Sequence, residues 1–211
     1  MTDSMNAMIW KAGLEDVVAT RSAICHVDGE AGRLFYRGYA IADLARAATF
    51  EDVTYLLWFG ELPDAAASAE HRRRLAATRG LPKEIKALLE ALPRDTHPLD
   101  ALRTAVSFAA SLDPDTRASD LDANVRKGYR LMNLVPETVA TWQRIRTGRA
   151  PVEAPAQDGH AARFLHLLDG RAPSPEVAHV LDVALVLHAD HELNASTFAA
   201  RVAVATLADM H

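Results

Sequence analysis

The chain has 211 residues, a formal net charge of −5 and a single cysteine. This length fits one domain with a substantial core, the negative balance argues against a nucleic-acid binder, and one cysteine excludes an internal disulfide framework and suits a reducing cytoplasm. With 49% hydrophobic and 24% charged residues the profile is that of a soluble protein; no apolar run reaches the roughly 18 residues of a membrane span, and Met1 to Met8 lacks the basic-then-apolar order of a secretory leader.

The β signal is confined to the first 41 residues. Residues 1–10 read as a loose tail. Val17 to Thr20 and Ala23 to Val27 are strand-like, Asp28-Gly29-Glu30-Ala31-Gly32 is a turn, and Arg33 to Tyr39 returns, which predicts a hairpin. The two glycines lack the spacing of a phosphate-cradling loop. Cys25 sits between Ile24 and His26 in this stretch and is expected to be a buried structural thiol.

Beyond Ile41 the periodicity is helical. A short helix covers Ala42 to Ala47. Thr49 is a good N-cap for Phe50 to Trp58, whose Val53, Leu56 and Leu57 form a stripe that stops at Gly60. Leu62-Pro63-Asp64 opens a helix to about Arg79, on which His71-Arg72-Arg73-Arg74 reads as a solvated basic face. Gly80-Leu81-Pro82 separates it from a helix ending near Leu92. Pro98 begins another to Leu112, with Leu99, Leu102, Val106 and Ala109 on one face. Residues 120–148 form one long helix or two, with a kink expected at Pro136. A Pro- and Ala-rich connection follows, then helices over His160 to Leu168 and from Pro175, capped by Ser174.

The stretch of greatest chemical interest is 181–207. Two greasy runs, Val183 to Leu187 and Phe198 to Leu207, flank His188, Asp190, His191, Glu192, Asn194, Ser196 and Thr197. Apolar residues fall on nearly every face of both runs, so both are expected to be buried on most sides. Val183 to Glu192 reads as a helix, which sets His188 and His191 on one face near its C-terminal end, where the dipole favours a charged imidazole. Asn194 or Ser196 is expected to cap the next helix, whose free N–H groups suit a carboxylate. Three readings of the two histidines stand: hydrogen-bonded core residues, a metal pair, or an anion-binding and acid–base site. The metal pair is the least favoured. The order His-x-x-His-Glu is not that of the metalloproteases, and no cysteine pair or third histidine lies nearby in sequence. No metal ligand is assigned.

His188-Ala-Asp-His191-Glu-Leu-Asn194-Ala-Ser196-Thr closely resembles the oxaloacetate-site motif of the citrate synthase family. Gly13-Leu-Glu-Asp-Val-Val, Tyr36-Arg-Gly-Tyr-Ala-Ile, Leu57-Trp-Phe-Gly-Glu-Leu-Pro63, Phe164-Leu-His-Leu-Leu and Pro173-Ser-Pro-Glu resemble further family segments in the same order. Each is weak alone; together they cover essentially the whole chain.

The resemblance implies an all-α, multi-helical large domain with a small N-terminal β-hairpin, residues 1–211 being the N-terminal part of that domain. It implies an acyltransferase of the type that turns the acyl group into alkyl on transfer: oxaloacetate and acetyl-CoA condense to citrate and CoA, with no cofactor or metal. His191 matches the family histidine that binds oxaloacetate, and His188 and Asn194 match as pocket-lining and supporting positions. The catalytic residues proper are expected downstream: a Gly-Pro-x-His-Gly-Gly segment, a second histidine, several arginines and the aspartate base. The chain alone is therefore expected to be inactive. It reads as a truncation, one half of a split enzyme whose C-terminal half acts in trans, or a short binding or regulatory paralogue. A homodimer or larger assembly in the cytoplasm is expected, with no nucleic-acid or membrane partner. A 2-methylcitrate synthase using propionyl-CoA is the alternative. The two acyl chains differ by one methylene, worth about 1–3 kcal/mol of selectivity.

Overall fold

The computed structural model describes residues 21–155 and 159–211. The predicted tail 1–10 and the strand-like Val17 to Thr20 lie outside them. Three short strands, β1 (Cys25–Asp28), β2 (Arg33–Tyr36) and β3 (Tyr39–Ala40), form an antiparallel sheet in the order β1-β2-β3. The β1–β2 register pairs Cys25 with Tyr36 and Asp28 with Arg33, so the predicted Asp28–Gly32 turn closes the hairpin.

Everything after the sheet among the described residues is helix and connection: α1 (Ile41–Ala47), α2 (Phe50–Phe59), α3 (Ala65–Ala77), α4 (Lys83–Ala91), α5 (Pro98–Ala109), α6 (Leu121–Arg146), α7 (His160–Asp169), α8 (Pro175–Leu187) and α9 (Ala195–Val204). The expected all-α architecture with a small N-terminal hairpin holds. Local chemistry sets many of the ends. Thr49 and Asp52 form a reciprocal capping box at α2, and Gly60 ends that helix in the left-handed region at φ 98°. Asp64, Asp120, Ser174 and Asn194 each accept a backbone N–H at the start of α3, α6, α8 and α9. α6 continues unbroken past Pro136. None of these helices is long and apolar enough to cross a membrane.

The core has two parts. One joins α4, α5 and α6 through Leu81, Ile85, Leu89, Ala101, Ala105, Ala109, Trp142 and Ile145. The other joins the hairpin, α1, α2 and the end of α8 through Cys25, Tyr36, Leu44, Val53, Leu56 and Val186. On α5 the buried residues are Ala101, Ala105 and Ala109, while Leu99, placed on one face with Ala109 by the periodicity, is 66% exposed.

Between the two parts lies a buried polar seam. His71 on α3 bonds Thr54 Oγ1 through Nε2 (2.9 Å) and Tyr129 Oη through Nδ1 (2.8 Å). Thr54 Oγ1 donates to the Glu51 carbonyl, so it accepts from His71 Nε2–H. Gly128 permits the close approach here, since a Cβ would meet the Trp58 ring at 3.0 Å. The basic run is thus only partly a solvated face. His71 is buried and Arg72 reaches Thr49 and Asp52, while Arg73 and Arg74 pair with Glu70 at the surface.

Two further expectations are corrected. α8 stops at Leu187, so residues 188–192 do not continue the helix. Neither α8 nor α9 is buried on most sides: Val186 is the one buried residue of α8, α9 has none, and Val180 on α8 and Val202 on α9 are 68% and 55% exposed.

Candidate active site

The segment between α8 and α9 follows from how α8 ends. His188 is its C-cap, with its backbone N–H shared among the last carbonyls. The His188 ring is exposed and its Nδ1–H donates back to Ala184 O at 2.7 Å, which leaves Nε2 outward. His191 lies in the connecting loop, not one helical turn along from His188. The predicted shared face and dipole effect therefore do not apply to it.

The loop is fastened to the hairpin at two points. Tyr36, fully buried in β2, donates its hydroxyl hydrogen to Val186 O (3.1 Å) and accepts from the Asp190 N–H (3.2 Å). One hydroxyl so ties the last turn of α8 to the loop. The Glu192 carboxylate accepts from the Val27 N–H of β1 at 2.7 Å. Within the loop, Glu192 N–H donates to Asp190 Oδ1 at 2.8 Å, and Glu192 itself takes a left-handed φ of 70°. Cys25 packs beneath and hydrogen-bonds Asp190. Burial, then that carboxylate, push its thiol up to about 12, so it is the inert structural cysteine expected. Burial also raises the Tyr36 phenol above its ordinary value.

Asn194 sets the orientation of His191. Its Oδ1 is taken by the Thr197 N–H at 2.8 Å as the N-cap of α9. Its Nδ2 therefore faces His191 Nε2, 3.0 Å away. An amide nitrogen only donates, so His191 Nε2 accepts and the neutral ring carries its hydrogen on Nδ1. The exposed ring thus offers an N–H donor beside the first turn of α9, where Ala195 and Ser196 are also exposed. Among the described residues no group of three or more His, Cys, Asp or Glu side chains is arranged to hold a metal ion.

The structure thus brings His191 and Asn194 into contact and keeps His188 on the same connection with a separate partner. Sequence reasoning overlooked Tyr36 and Val27 as the loop's anchors and Asp190 and Glu192 as what they grip. No local pattern marks contacts 154 and 165 residues apart.

Residues 13–211 match a family model described as citrate synthase, C-terminal domain. The chain is 44% identical over 200 residues to citrate synthase 2 of Bacillus subtilis, covering 94% of this chain and 53% of that protein. It is 41% identical over 201 residues to the 2-methylcitrate synthase of Shewanella oneidensis, covering 95% and 53%. It superimposes with a TM-score of 0.85 and 27% identity on citrate synthase of Thermoplasma acidophilum in a ternary complex with carboxymethyl coenzyme A and oxaloacetate, covering 92% of this chain and 51% of that one. The chain spans about half the length of the curated relatives it matches. With a family match over residues 13–211 laid over a mainly helical fold and a histidine–asparagine loop, the chain belongs to the citrate synthase family.

Proposed function

We propose that this chain contributes the oxaloacetate side of a citrate synthase active site, within an acyltransferase that condenses oxaloacetate with acetyl-CoA to give citrate and CoA. The observation that carries the reading is the His191–Asn194 pair, which presents an oriented imidazole N–H to solvent at a helix start. Carbon–carbon bond formation moves a proton from the thioester methyl to a base, and the new bond places negative charge on the former keto oxygen of oxaloacetate. Water then cleaves the thioester. In this scheme His191 Nδ1–H donates to an oxaloacetate oxygen, Asn194 holds the ring in its tautomer, and His188 lines the pocket. The base and the remaining donors belong to parts of the family fold other than these 211 residues, which form the N-terminal part of the large domain. The reaction needs no separate cofactor or metal. The assembly is a cytoplasmic homodimer in which the apolar faces of α8 and α9 are covered.

A 2-methylcitrate synthase using propionyl-CoA is the second reading, supported by the 41% identity to the Shewanella oneidensis enzyme. A non-catalytic binding or regulatory subunit is the third.

The test is His191→Ala in the protein complemented with the family's downstream half. Loss of a charge-assisted hydrogen bond of roughly 1.5–3 kcal/mol lowers oxaloacetate affinity about tenfold to a hundredfold in a calorimetric titration. The melting temperature changes little, because the ring is exposed. Unchanged oxaloacetate affinity with lost turnover would move His191 to the thioester oxygen. Unchanged affinity with unchanged turnover would end its role.

A further inference from the structure

His191 itself has one anchor, Asn194. Its two chain neighbours are both gripped by the hairpin. Asp190 is held through its backbone N–H by Tyr36, and Glu192 through its carboxylate by the Val27 N–H. Glu192 is the unusual member of this set. A non-glycine residue in the left-handed region is strained and persists where its surroundings over-determine it. Here three contacts do so: Glu192 N–H to Asp190 Oδ1, Glu192 Oε1 to Val27 N–H at 2.7 Å, and a looser approach of the same oxygen to His26 Nδ1 at 3.8 Å. Among the described residues β1 is an edge strand, and the Val27 N–H that Glu192 captures points away from β2. The backbone reversal at Glu192 leads directly into Leu193 and Asn194, so it sets the distance between the Asn194 amide and the His191 ring.

We infer that Glu192 is a positioning residue: by clamping the loop to the edge of β1 it holds His191 and Asn194 in the register that fixes the His191 tautomer with Nδ1–H outward. The inference rests on the reading of His191 as a substrate-facing donor, and its test does not use substrate.

The 211-residue chain is labelled with 15N-histidine, and the His191 tautomer is read from its ring nitrogen shifts beside a thermal melt. In the unsubstituted protein the Nδ1–H form predominates. Glu192→Ala moves His191 toward the Nε2–H form that unconstrained imidazole side chains favour. Glu192→Gln, whose amide oxygen still accepts from Val27, restores the Nδ1–H form. Val27→Pro, on an edge strand where proline is tolerated, deletes the same bond from the donor side and reproduces the alanine result. An unaltered tautomer in either folded deletion variant overturns the inference, as does failure of glutamine to rescue. Absence of oxaloacetate binding by the unsubstituted, complemented protein would instead refute the substrate reading and leave the tautomer result standing.

Discussion

α6 and α9 reverse what their sequences suggest. α9 is the more apolar, with Arg201 as its single charge, and buries nothing. α6 carries Lys127, Glu137 and Arg144 among its buried residues and is the helix around which α4, α5 and α7 pack. Every buried charge on α6 has an acceptor or donor: Lys127 gives a hydrogen bond to Ala118 O, Arg144 to Ala150 O and Leu168 O, and Glu137 takes them from Gly80 N–H and Arg163. Burial is therefore decided by which neighbours surround a helix and whether they can satisfy it, and only secondarily by its own hydropathy.

The contrast is tested most severely at Trp142, which is 1% exposed at the centre of the α4–α5–α6 cluster. Trp142→Ala lowers stability by about 3–5 kcal/mol, read as the shift in urea midpoint at constant slope; a loss below about 1 kcal/mol would mean α6 is not the organising helix. Next in size is Tyr36→Phe. It keeps the ring but leaves Val186 O and Asp190 N–H without their hydroxyl, costing about 1–3 kcal/mol. The same variant also speeds amide exchange in residues 188–192, and exchange as slow as in the parent would break the link between the hairpin and the loop.

A smaller effect comes from acidity in the polar seam. Burial, chiefly, holds the His71 imidazole below its ordinary pKa, although Glu51 opposes this; His160 is depressed for the same leading reason. A histidine with a depressed folded pKa binds fewer protons folded than unfolded. Its contribution is complete above the unfolded value, near 6.5, and is lost as pH falls below it. The urea midpoint therefore declines from pH 7.5 to pH 5.5, and less steeply in a His71→Gln variant; a flat profile contradicts the buried seam. Asp182, raised mainly by burial, acts with the opposite sign. Its contribution to the folded state is complete below the unfolded aspartate value near 3.9 and is lost as pH rises through its raised folded value. The smallest change belongs to α9: Val202, 55% exposed, becomes alanine within about 0.5 kcal/mol. A larger loss in dilute solution would show that this face is already covered.

Much of this was legible residue by residue. Asp28-Gly29 marked the hairpin, Thr49 and Gly60 bounded α2, and Ser174 and Asn194 capped α8 and α9, because each acts on groups within a few positions of itself. The end of α8 was not legible. His188-Ala-Asp-His-Glu contains no breaker, and what stops the helix at Leu187 is a hydroxyl and a strand N–H supplied by residues 36 and 27. The same blindness hid His71. Its three neighbouring arginines suggested a wet surface, while its actual partners, Thr54 and Tyr129, sit on two other helices. At the site, the pairing of His191 with Asn194 lay within reach of three-residue spacing, but the tautomer it fixes depended on Thr197 claiming the amide oxygen first.

The hairpin's partners have a consequence for how the chain is made. Val27 waits 165 residues for Glu192, Tyr36 waits 150 for Val186, Phe50 waits 132 for Asp182, and Glu51 waits 109 for the His160 N–H. At roughly 5–20 residues per second on the ribosome, the first strands emerge on the order of ten to thirty seconds before the elements that close over them. During that interval α3 to α6 can pack among themselves through local contacts, while β1, an edge with unpaired N–H groups, stands open to strand pairing with other nascent chains. The clamp that completes the loop in the finished molecule thus closes onto a strand made long before it.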